Sequence, residues 1–153
     1  MTTMTAQTTQ VYSVSIRATP EQVWAAITKP EFTTQYFHNS VIECTYEPGA
    51  PFRGRSADGE QEFVDGEVIA ADPPHKLVTT WRALWSPELA AEPHGRVSWE
   101  IEVAGEGVTQ LTIVHDELER SPKTAASVAS PSGWSFVLSG MKTLLETGKP
   151  LAG

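Results

Sequence analysis

The chain is poor in cysteine and in positive charge. The first shortage excludes an intrachain disulfide, and the second argues against a nucleic-acid partner. Cys44 is the only cysteine among 153 residues, so no disulfide can form within the chain and we expect a reducing, cytoplasmic setting. Eleven lysines and arginines stand against nineteen aspartates and glutamates, which leaves a formal net charge of -8. Because proteins bind nucleic acids largely by neutralising phosphates, we do not expect a nucleic-acid partner.

Long hydrophobic runs are also missing. No segment approaches the roughly 18 consecutive apolar residues that a membrane-spanning helix needs, so membrane insertion is not expected. The first ten residues are rich in Thr and Gln and lack the basic and apolar regions of a secretory signal. We therefore expect residues 1–9 to form a flexible tail and residues 10–153 to form a single domain.

Motifs for cofactors and metals are absent as well. The sequence contains no glycine-rich phosphate loop, no His-Glu-x-x-His and no zinc-type spacing of Cys and His. His115 and Asp116 are adjacent, but neighbouring residues of a strand point to opposite faces and cannot easily share one ion. We predict neither a cofactor nor a metal site.

The sequence does contain clear signals for short strands and tight turns. After a strand at 11–17, Thr19 and Gln22 form a predicted capping box with Pro20 at the first helical position. Two short helices are expected here, the second ending at Phe37. Alternating apolar residues and turn signals at Asp58-Gly59 and Gly105 to Gly107 then predict strands. Their expected ranges are 41–46, 52–56, 62–71, 76–83, 96–104 and 108–118.

The C-terminal region predicts one long helix. Apolar side chains recur at helical spacing from Trp134 to Leu145, with Gly148 as the expected stop, so the helix is expected over 131–147. Strands joined by short turns pair antiparallel. The predicted fold class is α+β, with a curved antiparallel sheet of six or seven strands around this helix.

The inner face of the sheet is expected to carry large rings. Alternation along the strands points Trp81, Trp99 and His115 toward the long helix. Bulky rings on a curved sheet rarely pack without gaps, so we predict a cavity for a small hydrophobic or aromatic molecule. The candidate ligand-binding residues are Phe37, Trp81, Trp85, Trp99, His115, Trp134, Leu138 and Met141.

Three functional hypotheses follow. The absence of a catalytic motif favours the first of them, which is given next. It is a non-catalytic binding protein for a small apolar molecule. The second is a cyclase- or hydrolase-like enzyme that uses His115 as general acid or base. The third is an interaction protein, either a homodimer or a chaperone partner, that uses the irregular stretch 85–93 with Trp85 and Leu89. That stretch could equally form a lid over the cavity.

Three segments resemble a known family, and they are 18–31, 66–81 and 133–148. The first segment reads ATPEQVWAAIT and is followed by Pro30-Glu31. The second runs from GEV at 66–68 through DPP at 72–74 to Thr80-Trp81. The third runs from Gly133-Trp134 to LLETG at 144–148. They are similar to the START-like, or helix-grip, superfamily, in its bacterial branch related to the C-terminal domain of heat-shock ATPase activators.

The resemblance implies a cavity between sheet and long helix that takes lipids, polyketides, hormones or other hydrophobic molecules, without a shared catalytic set. Some relatives are polyketide cyclases, which keeps the enzyme hypothesis open. Eukaryotic activators carry a further N-terminal domain that engages the chaperone, and 153 residues leave no room for it. The resemblance therefore does not by itself imply co-chaperone activity.

Overall fold

A seven-stranded antiparallel sheet forms the frame of the protein. The structure, a computed structural model, describes residues 7–151. The strands lie in the order β1-β7-β6-β5-β4-β3-β2, so the first and second strands form the two edges. Their bounds are β1 Gln10–Ile16, β2 Ser40–Glu43, β3 Pro51–Ser56, β4 Glu62–Asp72, β5 Lys76–Ala83, β6 Gly95–Gly105 and β7 Val108–Asp116. This confirms the predicted sheet and its antiparallel pairing.

Five helices pack with this sheet. They are α1 Pro20–Thr28, α2 Pro30–Tyr36, α3 Pro87–Ala90, α4 Pro122–Val128 and α5 Trp134–Thr147. The predicted capping box is present, because the Gln22 N–H donates to Thr19 Oγ1 at 3.2 Å and the Thr19 N–H donates to Gln22 Oε1 at 2.8 Å. Both helices after β1 begin at a proline, as the sequence predicts.

The long helix starts later than predicted. Residues 131–133 form a turn, and α5 begins at Trp134 rather than at Pro131. A Cβ atom on Gly133 would lie 1.9 Å from the Val128 carbonyl oxygen, so the turn runs too close to α4 for any side chain. The predicted end is confirmed, since Gly148 adopts a left-handed φ of 76° and its N–H donates to the Leu144 carbonyl.

Two other predictions need correction. The strand predicted over 41–46 ends at Glu43, because Tyr46 has a positive φ of 60° and packs its ring against Trp24 of α1. The stretch predicted as irregular, 85–93, contains α3. Helix α4 was not predicted at all. Residues 1–6, most of the predicted tail, lie outside the described residues.

The buried core lies between the concave sheet and α5. The helix contributes its apolar stripe, and β5, β6 and β7 contribute their inward residues, among them Leu77, Val97 and Ile113. Within residues 7–151, no helix is long and apolar enough to cross a membrane. Leu77, Val97 and Ile113 are fully buried, so the core is closely packed where these strands meet α5.

Candidate ligand-binding cavity

Trp134, the first residue of α5, is the centre of a cluster of buried rings. Its ring centroid lies 5.6 Å from Trp81, 5.6 Å from Trp99 and 5.8 Å from Phe37. These separations and the tilted or edge-to-face angles are the arrangements that aromatic pairs prefer. Trp81 and Trp99 of the sheet thus meet Trp134 of the long helix, as strand alternation predicts, and these rings pack directly against one another.

His115 belongs to the same cluster and is fully buried, with 0% of its surface exposed. The Trp134 indole Nε1–H donates to His115 Nδ1 at 3.0 Å. An indole N–H can only donate, so Nδ1 is unprotonated and the hydrogen of the neutral ring is on Nε2. Burial lowers the pKa of His115 from 6.5 to about 4, against a smaller opposing attraction from Asp116.

A cavity of about 250 Å³ lies beside this cluster. It is enclosed by β2 to β5, by α4 and by the first turn of α5. Most of its wall is apolar, and these wall residues are Phe37, Ile42, Gly54, Phe63, Val64, Trp81, Trp85, Val128, Gly133, Trp134 and Val137. The polar wall residues are His38, Ser40, Ser127 and Ser132. Within residues 7–151, no Lys, Arg, Asp or Glu borders it, so its interior is suited to an uncharged molecule.

The cavity opens where its exposed wall residues lie. Trp85, 47% exposed, stands on one side of this mouth with its ring 6.0 Å from Trp81. The other exposed wall residues are His38 and Ser132, and the His38 Nε2 atom lies 3.2 Å from the Ser132 carbonyl oxygen. A carbonyl can only accept, so this contact assigns the hydrogen to Nε2. The His38 ring also stacks on Phe136.

The segment 84–94, which we call the mouth segment, is tied to the body of the protein at its far end. The Glu92 carboxylate accepts hydrogen bonds from the Lys123 and Thr124 backbone N–H groups, at 3.0 and 2.7 Å, and from the Thr124 hydroxyl at 2.7 Å. Burial opposes ionisation of Glu92, but these hydrogen bonds outweigh it and lower its pKa. His94 Nε2 also lies 2.9 Å from the Asp65 carboxylate.

Replacement of Glu92 by Ala should therefore destabilise the protein by about 1 kcal/mol, the usual cost of losing a helix cap. The reason is that Glu92 satisfies the first backbone donors of α4, whose own N-cap residue makes no side-chain hydrogen bond. Urea unfolding at pH 7 measures the difference. Glu102→Ala, on an exposed position of β6, is the control and should change stability by less than half as much. Equal losses in both variants would contradict the capping role.

Four of the eight predicted ligand-binding residues border the cavity, and they are Phe37, Trp81, Trp85 and Trp134. The other four, Trp99, His115, Leu138 and Met141, are buried behind this wall rather than on it. His115 does not border the cavity, because the rings of Trp134 and Trp81 lie against it. A role for His115 as general acid or base stays a prediction.

Sequence reasoning missed the polar part of the wall. His38 lies in the turn before β2, where His38 and Asn39 adopt positive φ angles of 52° and 54°, and Ser40 directly follows this turn. No glycine marks this turn, so only a tolerance of Asn for such angles could have indicated it. Among residues 7–151, no three His, Cys, Asp or Glu side chains cluster as a metal would require.

Comparison with known proteins identifies the family. Residues 17–146 match the family described as activator of Hsp90 ATPase homolog 1-like protein. The chain belongs to this family. The match confirms the resemblance drawn from the three sequence segments, and the helix-grip architecture agrees with it. A search of curated proteins found no match.

Solved structures of the same fold come from different settings. DynU16, from the dynemicin biosynthetic locus, is 28% identical with a TM-score of 0.74, and the alignment covers 94% of this chain and 49% of that one. This chain thus spans about half the length of DynU16. The Aha1 dimer from Colwellia psychrerythraea is 17% identical, with a TM-score of 0.71 and coverage of 94% and 99%. The HSP90 activator PFC0360w from Plasmodium falciparum is 22% identical, with a TM-score of 0.60 and coverage of 95% and 91%.

Proposed function

We propose that this member of the activator-like family binds a small, largely apolar molecule in the cavity beside Trp134. The observation that carries the proposal is the cavity itself, about 250 Å³ with a wall that is mostly aromatic and aliphatic. A cavity of about 150 Å³ holds benzene, so this one has room for about two fused rings or one ring with a short chain.

The structural relatives differ in their functional settings and do not by themselves indicate one function for this chain. One relative belongs to a biosynthetic locus, and another is described as an HSP90 activator. The cavity favours ligand binding over both catalysis and partner docking. Within residues 7–151, the serines of its interior wall, Ser40 and Ser127, make no hydrogen bond to a base that could activate them, and His38 stands at the mouth.

The five tryptophans allow a direct test, because each indole N–H gives one signal in a ¹H–¹⁵N NMR spectrum. Addition of 2-naphthol should shift the signals of Trp81, Trp85 and Trp134, which border the cavity. Trp24 packs against Tyr46 elsewhere and should not move. Single Trp→Phe variants assign the signals.

The proposal fails if no compound of a panel of one- and two-ring aromatics shifts the three cavity signals at up to about 1 mM. Binding weaker than that corresponds to less than about 4 kcal/mol. Equal shifts of all five signals would also contradict it, because they would indicate non-specific association. Light scattering of the same sample reports whether the protein is a dimer, as the Colwellia relative is described to be.

A further inference from the structure

One buried side-chain polar atom on the cavity wall has no hydrogen-bond partner within the described residues. Within residues 7–151, the buried side-chain polar atoms without a partner are Ser40 Oγ, Arg55 Nε, Thr79 Oγ1 and His115 Nε2. Of these four residues only Ser40 borders the cavity. Most buried polar groups in proteins are hydrogen-bonded, so an exception on the wall of a cavity needs an explanation.

The rest of Ser40 is fully paired, which fixes its position. Its N–H donates to the Phe37 carbonyl at 3.1 Å, and its carbonyl accepts from the Thr33 hydroxyl at 2.7 Å. The residue opens β2 opposite Ser56 of β3 and is only 2% exposed. Its hydroxyl is therefore held at the wall, and bulk water does not reach it.

The other polar wall residues are in a different situation. His38 and Ser132 lie at the mouth, where solvent reaches them, and the Ser127 side chain is only half-buried. Burying a hydroxyl without a partner is unfavourable, and a ligand oxygen that reaches Ser40 would remove this penalty. Rotation about the Cα–Cβ bond lets the hydroxyl turn toward such an oxygen, since serine has three staggered positions.

We propose that the ligand is a neutral ring compound with one hydroxyl or carbonyl group, and that Ser40 Oγ forms the hydrogen bond that orients it. This inference rests on the proposed function. A serine hydroxyl donates and accepts, so it fits either group. A charged ligand of either sign is disfavoured, because no Lys, Arg, Asp or Glu of the described residues borders the cavity to pair with it.

The test compares naphthalene with 2-naphthol, which differs by one hydroxyl group, on wild type and Ser40→Ala. Dissociation constants come from NMR titrations of the Trp81 and Trp134 signals. In wild type the hydroxyl should strengthen binding, and in Ser40→Ala this preference should fall about fivefold or more. For each protein, the dissociation constant of 2-naphthol is divided by that of naphthalene. The different hydration of the two probes then cancels when the ratios of wild type and Ser40→Ala are compared.

Two controls separate this role from a structural one. Ser40→Ala should not lower the melting temperature of the ligand-free protein, because the hydroxyl makes no bond to lose. Ser98→Ala, at a half-buried position of β6 outside the cavity, should leave the preference for 2-naphthol unchanged. A third probe, 2-naphthoate, adds a negative charge and should bind no more tightly than naphthalene.

Each result decides a different point. Binding of both neutral probes with the same ratio in wild type and Ser40→Ala would overturn the role of Ser40 and leave the cavity function intact. A marked loss of melting temperature in Ser40→Ala would show that the hydroxyl already has a partner and would overturn it too. Tightest binding of 2-naphthoate would overturn the neutral ligand class. If neither neutral probe binds wild type, the proposed function and this inference fail together.

Discussion

Lowering the pH from 7 to 5 is expected to cost the protein about 2 kcal/mol of unfolding free energy through His115 alone. Burial holds the pKa of this histidine at about 4 in the folded protein, whereas its ordinary value is 6.5. Between these two values the unfolded chain takes up a proton that the folded protein does not. Stability from this group is therefore complete above pH 6.5 and falls steadily as the pH drops toward 4.

The measurement is urea unfolding at pH 7, 6 and 5 for wild type and His115→Asn. Asparagine keeps an acceptor oxygen for the Trp134 N–H but does not titrate, so its stability should fall less over this range. Acidic groups contribute equally to both proteins. The difference between wild type and His115→Asn in the slope of unfolding free energy against pH therefore isolates the contribution of His115. His75→Asn, which removes an exposed histidine, controls for the loss of a ring. Identical slopes in wild type and His115→Asn would contradict a buried, neutral His115.

Val137→Phe should weaken the binding of 2-naphthol at least about thirtyfold, which corresponds to roughly 2 kcal/mol. Val137 lies on α5 with its side chain buried at the cavity wall. A benzyl side chain there would occupy the space that the ligand needs. The extra ring enters an existing cavity, so the strain that usually accompanies overpacking should be small. We expect the melting temperature to stay within a few degrees of wild type.

Val103→Phe is the matched control, because the same substitution falls on an exposed position of β6. It should leave the 2-naphthol affinity unchanged. An unshifted Trp24 indole signal shows that each variant is folded. If Val137→Phe binds 2-naphthol as wild type does, the probe occupies another place and the assignment of the cavity as the binding site is wrong.

The fold was predictable because local signals and long-range packing agree. The Thr19–Gln22 capping box, the turns at Asp58-Gly59 and at 105–107, and the apolar stripe of α5 each specify one local structure, and the tertiary structure preserves all of them. Helix α4 carries no such stripe. Its sequence, PKTAASV, has small residues where a periodic pattern would need large ones, and its N-terminus is capped by Glu92 from a distant segment.

The site was only half predictable, because strand alternation tells which side chains point inward but not what they meet. Trp99 and His115 point inward as predicted, yet Trp134 fills the space before them. The cavity instead depends on the path of the chain at His38 and Asn39, on the close approach at Gly133 and on the position of Trp85. These features do not follow the periodicity of a helix or a strand, so the hydrophobic pattern of a single sequence does not reveal them.

The placement of the cavity also divides the molecule into two parts that can change separately. Most of the wall comes from one stretch of chain, residues 37–85, while the densely packed side is built from β1, β6, β7 and the later turns of α5. Substitution of wall residues such as Ile42 and Phe63 within this stretch should therefore alter the size and polarity of the cavity with little effect on the packed side. Relatives that share this architecture can therefore differ in the ligand they bind while they keep the same fold.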